Sequence, residues 1–285
     1  MKPAPFHYHA PKTVEEALAA LAEVARDDGC VLAGGQSLVP TMAFRLARPK
    51  HLVDINGIAE LARLEVRDGK LCIGACVRHA AFERPVVEGP LGRLLAEVVR
   101  HIAHKPIRAR GTFCGSIAHA DPASEWCLVA AALGAEMVAL STRGERVIPA
   151  KDFFDSIMTT MLHEYELLAE VRLPLPAPDL RFGFCEFSRR AGDFAVAMAL
   201  ATYRLNGAKI SEPGVAVGGV EAFPRRIAEA EAALAGRAPN AAAFAAAAEA
   251  AAEAVEPLDD ENVSAEYRRA LVKTVVERAL ERAAA

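Results

Sequence analysis

The sequence predicts an α+β protein, with a larger N-terminal unit followed by a smaller C-terminal one. Three observations predict it. The first stretch alternates helix and strand patterns and then turns into antiparallel hairpins. Three prolines, Pro174, Pro176 and Pro178, crowd into five residues and mark the best boundary. Beyond them, a new run of strand patterns is closed by two helical ones.

Thr13 to Arg26 reads as a helix. Thr13 can cap it, Glu16 completes a capping box, and Leu18, Leu21 and Val24 share a face. Asp28-Gly29 marks a turn. CVLAGG is then a short buried strand ending in glycines, and a helix starts at Ser37. HLVDIN (51–56) is a second apolar strand, and 64–77 reads as a hairpin about Asp68-Gly69. Periodicity predicts a helix from Pro90 to Lys105, and Gly111 to Glu125 reads as a long polar loop. An alanine-rich helix follows, with a hairpin about Arg143-Gly144 and, over 167–180, a strand running into the proline-rich stretch. RFGFCEFSRR, FAVAMALATYRL and GVAVGGV are the strands of the second unit, and helices are expected around 225–255 and 264–284. The alanine-rich stretch NAAAFAAAAEAAAEA (240–254) is read as helix, because alanine is the best helix former.

Composition narrows the function classes. The 285 residues are 53% hydrophobic and 25% charged, with a formal net charge of −4 spread along the chain. A nucleic-acid binder would concentrate basic charge on one face. No apolar run reaches the ~18 residues of a membrane span. The N-terminus shows no apolar core of a secretory signal. The six cysteines are scattered, so they are expected as reduced thiols in a cytoplasmic protein.

Two stretches carry candidate chemistry. In LAGGQSL (32–38), Gly34 and Gly35 permit close backbone approach, and the helix starting at Ser37 adds its dipole. The stretch suits either a plain turn or an anion cradle made of N–H groups. It lacks the lysine of a P-loop and the GxGxxG spacing, so a pyrophosphate suits it better than a triphosphate. In GTFCGSIAHADPASEW (111–126), Thr112, Ser116, His119, Asp121, Ser124 and Glu125 can face a polar ligand, or they can stabilise a surface loop through local turns. His101 and His104 fall at i and i+3 of the expected helix, without a third metal ligand. Cys72 and Cys76 fall about 13 Å apart along one strand face and would not chelate one ion. Asp27 and Asp28 read as a solvated face.

AGGQSL (33–38) together with RARGTFCGSIAHADPASE (108–125), about 75 residues on, resembles the paired pyrophosphate motifs of the FAD-binding medium subunit of molybdenum hydroxylases. That family includes the xanthine dehydrogenase and aerobic carbon monoxide dehydrogenase types. FSRRAGDFAVA (187–197), VAVGGVEAFPRR (215–226) and YRRALVKTVVERAL (267–280) resemble its C-terminal domain.

The resemblance implies a two-lobed FAD-binding domain of the p-cresol methylhydroxylase-like type over 1–176, with a lobe boundary near 56–60. A smaller α+β domain, an antiparallel sheet with helices, would span 177–285. By position, Leu32, Ala33, Gly34, Gly35, Gln36, Ser37 and Leu38 would wrap the FAD pyrophosphate. Thr112, Cys114, Gly115 and Ser116 would form the second phosphate loop, and His119 and Asp121 would continue it. Glu125 would contact the adenosine side, and Ile102, Ala103 and Leu168 would lie against the cofactor. Arg189 to Phe194 match a segment near the flavin ring. Cys114 departs from the usual pair of glycines, which is tolerable if its backbone is αR or β. No catalytic acid, base or metal ligand is implied in this chain. A small subunit with two [2Fe–2S] clusters and a large molybdopterin subunit are the implied partners, as a dimer of heterotrimers. The chain would relay their electrons through FAD to an external acceptor. A stand-alone flavoprotein oxidase or reductase and a flavin-free scaffold are the alternatives.

Overall fold

The computed structural model describes residues 2–285 and has the expected α+β architecture. The first lobe is a small parallel sheet with two helices. Strands β1 (His7–His9), β2 (Gly29–Leu32) and β3 (His51–Asp54) lie in the order β1-β3-β2. Helix α1 (Val14–Val24) connects β1 to β2, and α2 (Leu38–Ala43) connects β2 to β3. Thr13 caps α1 by accepting from the Glu16 amide at 3.1 Å, and Ala17, Leu21 and Val24 face the core.

The second lobe is built on a five-stranded antiparallel sheet. Strands β4 (Leu64–Arg67) and β5 (Lys70–Gly74) form the expected hairpin, with positive φ at both Asp68 and Gly69. Helix α3 (Pro90–Val98) is shorter than periodicity predicts, and the chain resumes as α4 (Lys105–Arg108). Pro106 bars helix from running through Ile102, whose carbonyl its ring would meet, but α3 already ends at Val98. Ala103, in the segment between α3 and α4, has φ 43°.

The expected loop at 111–125 contains a helix, α5 (Phe113–His119), and α6 (Glu125–Leu133) begins where the loop was expected to end. Thr112 caps α5, and Phe113, Cys114 and Ile117 are its buried face. It ends on Ala120 in a left-handed conformation rather than on a glycine, which hides the helix from a sequence reading. Strands β6 (Glu136–Ser141) and β7 (Gly144–Pro149) form the hairpin about Arg143-Gly144. A small ribbon, β8 (Phe154–Ser156) and β9 (Thr159–Thr160), leads to β10 (Leu167–Pro174), which completes the order β4-β5-β10-β6-β7.

The C-terminal part is a four-stranded antiparallel sheet of β11 (Arg181–Ser188), β12 (Ala195–Asn206), β13 (Lys209–Gly218) and β14 (Arg225–Arg226). Helices α7 (Ala228–Leu234), α8 (Ala241–Ala254) and α9 (Ala265–Ala284) cover it. The single helix expected around 225–255 is two, because Gly236 (φ 72°) and Pro239 interrupt it. Nine successive residues of β12, Ala195 to Tyr203, are buried. Met198 and Leu200 join the core of the five-stranded unit, while Ala197, Ala199 and Ala201 join the core under α8 and α9. A strand buried on both faces loses its period-2 alternation, which is why FAVAMALATYRL reads as an unbroken apolar run. The two cores therefore share one sheet as a wall. Among the described residues, no helix is long and apolar enough to cross a membrane.

Candidate functional site

The turn after β2 meets the turn before α5 back to back. A Cβ on Gly34 would lie 2.5 Å from the Arg110 carbonyl oxygen and 2.7 Å from the Gly111 Cα, so only glycine permits this approach. Gly111 is needed in its turn, since a Cβ there would lie 2.5 Å from Nε2 of His79. Gly35 has a different task, turning the chain with φ 70°. The two neighbouring glycines thus answer to two different constraints.

Between these loops and β10 lies a cavity of about 660 Å³. That is within the ordinary size for a ligand or cofactor site. Leu32 to Leu38, Thr112, Cys114, Gly115, Ser116, His119 and Leu168 all line it. Leu46, Met158 and the segment from Leu162 to Leu167 contribute the opposite walls, apart from Tyr165.

Four expected residues lie elsewhere. The Ile102 and Ala103 carbonyls both accept from Nη1 of Arg108 at 3.0 Å. Asp121 accepts the Ala123 amide at 2.9 Å in a local turn. Glu125 is buried at the start of α6, where burial pushes its carboxyl up to about 7. The two histidines of the expected helix face different ways: His101 packs edge-on against Phe184, and His104 lies against Gly192. Cys72 sits in β5, whereas Cys76 lies beyond it, with Sγ 3.3 Å from the Ile55 carbonyl oxygen.

The donor set in the cavity suits an anion. The amides of Gly34, Gly35, Gln36, Ser37 and Leu38 find no protein acceptor among the described residues, and neither do those of Thr112 and Cys114. The Ser37 side chain makes no capping bond, which leaves its hydroxyl available. Helix α2 is only six residues long, so the amides themselves, rather than a long helix dipole, are the main attraction. No lysine or arginine lines the cavity. The wall's one buried carboxylate, Glu166, is held by Arg146 at 3.0 and 2.6 Å. Burial raises the Glu166 pKa, but the Arg146 guanidinium and the His163 amide outweigh it and keep the carboxyl below its usual range.

Cys114 points away from this work. It lies within α5, is buried, and sets Sγ 3.2 Å from the Ile73 carbonyl oxygen. Burial raises its thiol far above the ordinary range, so it is not a nucleophile.

Several residues that hold the site were not singled out in the sequence. Arg78 donates to the Arg110 carbonyl at 2.5 Å and to Oδ1 of Asn56 at 2.6 Å. Asn56 in turn donates to the Ala33 carbonyl at 2.7 Å. This bracket joins the two glycine loops through side chains from the segments that follow β3 and β5. The only hint in the sequence is position, since Asn56 ends one expected strand and Arg78 directly follows another.

Comparison with known proteins agrees with this geometry. Residues 4–176 match the family described as FAD binding domain in molybdopterin dehydrogenase, and residues 182–283 match the CO dehydrogenase flavoprotein C-terminal domain. The chain is 38% identical to the caffeine dehydrogenase subunit beta of Pseudomonas sp. (strain CBB1), covering 100% of this chain and 96% of that one. It is 36% identical to the carbon monoxide dehydrogenase medium chain of Hydrogenophaga pseudoflava, covering 98% and 97%. A solved carbon monoxide dehydrogenase from H. pseudoflava, lacking the Mo-pyranopterin moiety of its molybdenum cofactor, superposes with a TM-score of 0.94 over 99% of this chain and 98% of that one, at 38% identity. Seven unbonded amides on two facing loops, within a chain matched from end to end, lead to one assignment: this oxidoreductase flavoprotein belongs to the molybdenum hydroxylase family, as its FAD-binding medium subunit.

Proposed function

We propose that this chain receives electrons from a [2Fe–2S] subunit and passes them through FAD to an external acceptor. Its partners are that small subunit and a large molybdopterin subunit, assembled as a dimer of heterotrimers in the cytoplasm. Bound FAD supplies a store for two electrons between one-electron donors and the acceptor. The chain's own residues bind and orient it.

The observation that carries this reading is the paired loop, with its amides free of protein acceptors. The Gly34 to Leu38 amides take one phosphate, with the Ser37 hydroxyl beside them. The Thr112 and Cys114 amides take the other, and Gly115, Ser116 and His119 continue that wall. Leu32, Ala33 and Leu168 supply apolar surface to the cofactor. Asp121, Ile102 and Ala103 act from behind, by fixing the turns around the second loop. The FAD-binding unit spans 1–176, with its lobes dividing near 56–60, and the second domain spans 177–285. Six free thiols, five of them buried, fit a reducing compartment. The substrate is chosen by the large subunit.

The test is a visible spectrum of the purified chain together with reconstitution. Bound flavin absorbs near ~450 nm. A complex assembled with this chain should reduce an acceptor dye at the expense of substrate, and a complex lacking it should stop once the partner subunits' own redox centres have taken up the electrons of the first turnovers. A correctly folded chain that takes up no FAD would refute the proposal.

A further inference from the structure

His79 is a buried polar residue that none of the preceding roles requires. It is 4% exposed and lies on the cavity wall beside Gly111, where the two glycine loops meet. Its Nδ1 lies 2.9 Å from Nε1 of Trp126, itself fully buried. An indole nitrogen can only donate. Nδ1 must therefore be the acceptor, and the remaining proton sits on Nε2. That Nε2–H has no acceptor among the described residues. Nε2 is not among the side-chain atoms that are both buried and unpaired, so this donor opens toward the cavity that His79 lines and is free to meet a ligand there.

The charge state agrees with the geometry. Burial first, then the nearby Arg108 and Arg78 guanidinium groups, hold the imidazole down to about 4. The ring stays neutral across the working pH range, in one tautomer, with one fixed donor. Phe82 and Phe113 pack tilted against Trp126 at ring-centroid distances of 5.3 and 4.7 Å and keep the indole from turning.

We propose that Trp126 fixes the His79 tautomer so that Nε2–H donates to a pyrophosphate oxygen of FAD at the junction of the two loops. This rests on the FAD reading of the cavity and adds a side-chain donor to it. The amides alone would leave the phosphate dependent on backbone placement. A neutral imidazole supplies a further donor without introducing a charge whose state varies with pH.

The test compares FAD binding by wild type, His79→Ala, His79→Gln and His79→Leu, each checked for folding by circular dichroism and thermal melting. A hydrogen bond to a charged group corresponds to a loss of roughly 10- to 100-fold in affinity. His79→Ala and His79→Leu should lose that much, and His79→Gln, whose side-chain amide can reach the Nε2 position, should recover most of it. Trp126→Phe should weaken binding several-fold in the wild-type background and not at all in the His79→Ala background. The phosphorus NMR resonances of bound FAD should shift in His79→Leu, which a merely structural role would not cause. ADP, which carries the pyrophosphate without flavin, should lose affinity in parallel. If His79→Ala does not fold, the Gln and Leu pair carries the same comparison. Folded His79→Leu binding FAD within twofold of wild type overturns the proposal and leaves the FAD reading standing. Wild type that binds no FAD overturns both.

Discussion

Gly34 and Gly35 are adjacent, yet their replacement by alanine should have unequal consequences. In Gly34→Ala the new Cβ would stand 2.5 Å from the Arg110 carbonyl oxygen, where ordinary contact begins at 3.4 Å. The loops must separate by about 0.9 Å, and both atoms in the way, Arg110 O and Gly111 Cα, are backbone. Charge-assisted hydrogen bonds are worth roughly 1.5–3 kcal/mol each. Displacing even two amides from a phosphate by that distance would cost about 3–6 kcal/mol, a fall of roughly 10²- to 10⁴-fold in FAD affinity. In Gly35→Ala the close atoms are Val39 Cγ2 at 3.1 Å and Leu32 Cδ1 at 3.2 Å, both side-chain ends able to yield. The remaining penalty is that of φ 70°, about 1–2 kcal/mol for a residue with a Cβ. Gly35→Ala should therefore lower the melting temperature by a few degrees and reduce FAD affinity by no more than about tenfold. Titration of the apoprotein with FAD, followed by flavin fluorescence, measures both. Equal losses in the two variants, or a larger loss in Gly35→Ala, would refute the assignment of Gly34 to loop contact and Gly35 to backbone turn.

Three further outcomes follow from named contacts. Arg78→Ala removes the bridge from Asn56 to the Arg110 carbonyl and should weaken FAD binding about tenfold; Arg78→Lys should restore little of it, because an ammonium cannot span both acceptors as a guanidinium fork does. FAD titration of the two variants checks this. Cys114→Gly should cost about 1 kcal/mol or more of stability, measured by denaturant titration, from helix propensity and lost burial, while FAD affinity stays within twofold, since Cys114 is already helical and its Sγ faces β5. The third outcome concerns pH. Burial first, with the Glu125 carboxylate adding to it, raises Glu186 to about 8, and its Oε2 has no hydrogen-bond partner. His101 Nδ1 is 3.7 Å away, and burial lowers that imidazole, so the two meet as neutral groups rather than as an ion pair. The folded protein keeps the Glu186 proton up to about pH 8, whereas the unfolded chain releases it near 4.5. Stability is therefore fully present below the lower value and falls by a few kcal/mol as pH rises through this window. Glu186→Gln should flatten that fall and raise the melting temperature more at pH 8 than at pH 5; parallel profiles would contradict it.

The sequence was most informative where backbone chemistry is local. The Asp68-Gly69 hairpin, the Thr13 cap and the strand-to-turn at Gly34-Gly35 follow from short-range rules, and they stand in the structure as read. It was least informative where a local signal was overridden or missing. The apolar period through His101 masks the end of α3 at Val98. Helix α5 is only seven residues, holds a glycine at Gly115 and ends without one, so it passes for a loop. These two misreadings had opposite effects on the site. The first placed His101 and His104 on one face, where they suggested a shared role that the turn at Ala103 removes. The second concealed why a cysteine can replace a glycine at 114: a helical position asks nothing of the backbone that a Cβ forbids.

What no local pattern could supply is the pairing of the two loops. Gly34 is constrained by Gly111, Gly111 by His79, and His79 by Trp126, four residues spread over more than ninety positions of chain. Each step is a steric or hydrogen-bond requirement that exists only after folding. The residues that appeared to bind by themselves, the two glycines, bind because the chain behind them leaves no room for anything larger. The side chains that hold that arrangement, Arg78, Asn56 and Trp126, are ordinary in the sequence because their partners are mainly backbone carbonyls and one another. A motif search finds the surface that meets the ligand; the spacing of that surface is set from behind, and there the cavity's affinity is most exposed to mutation.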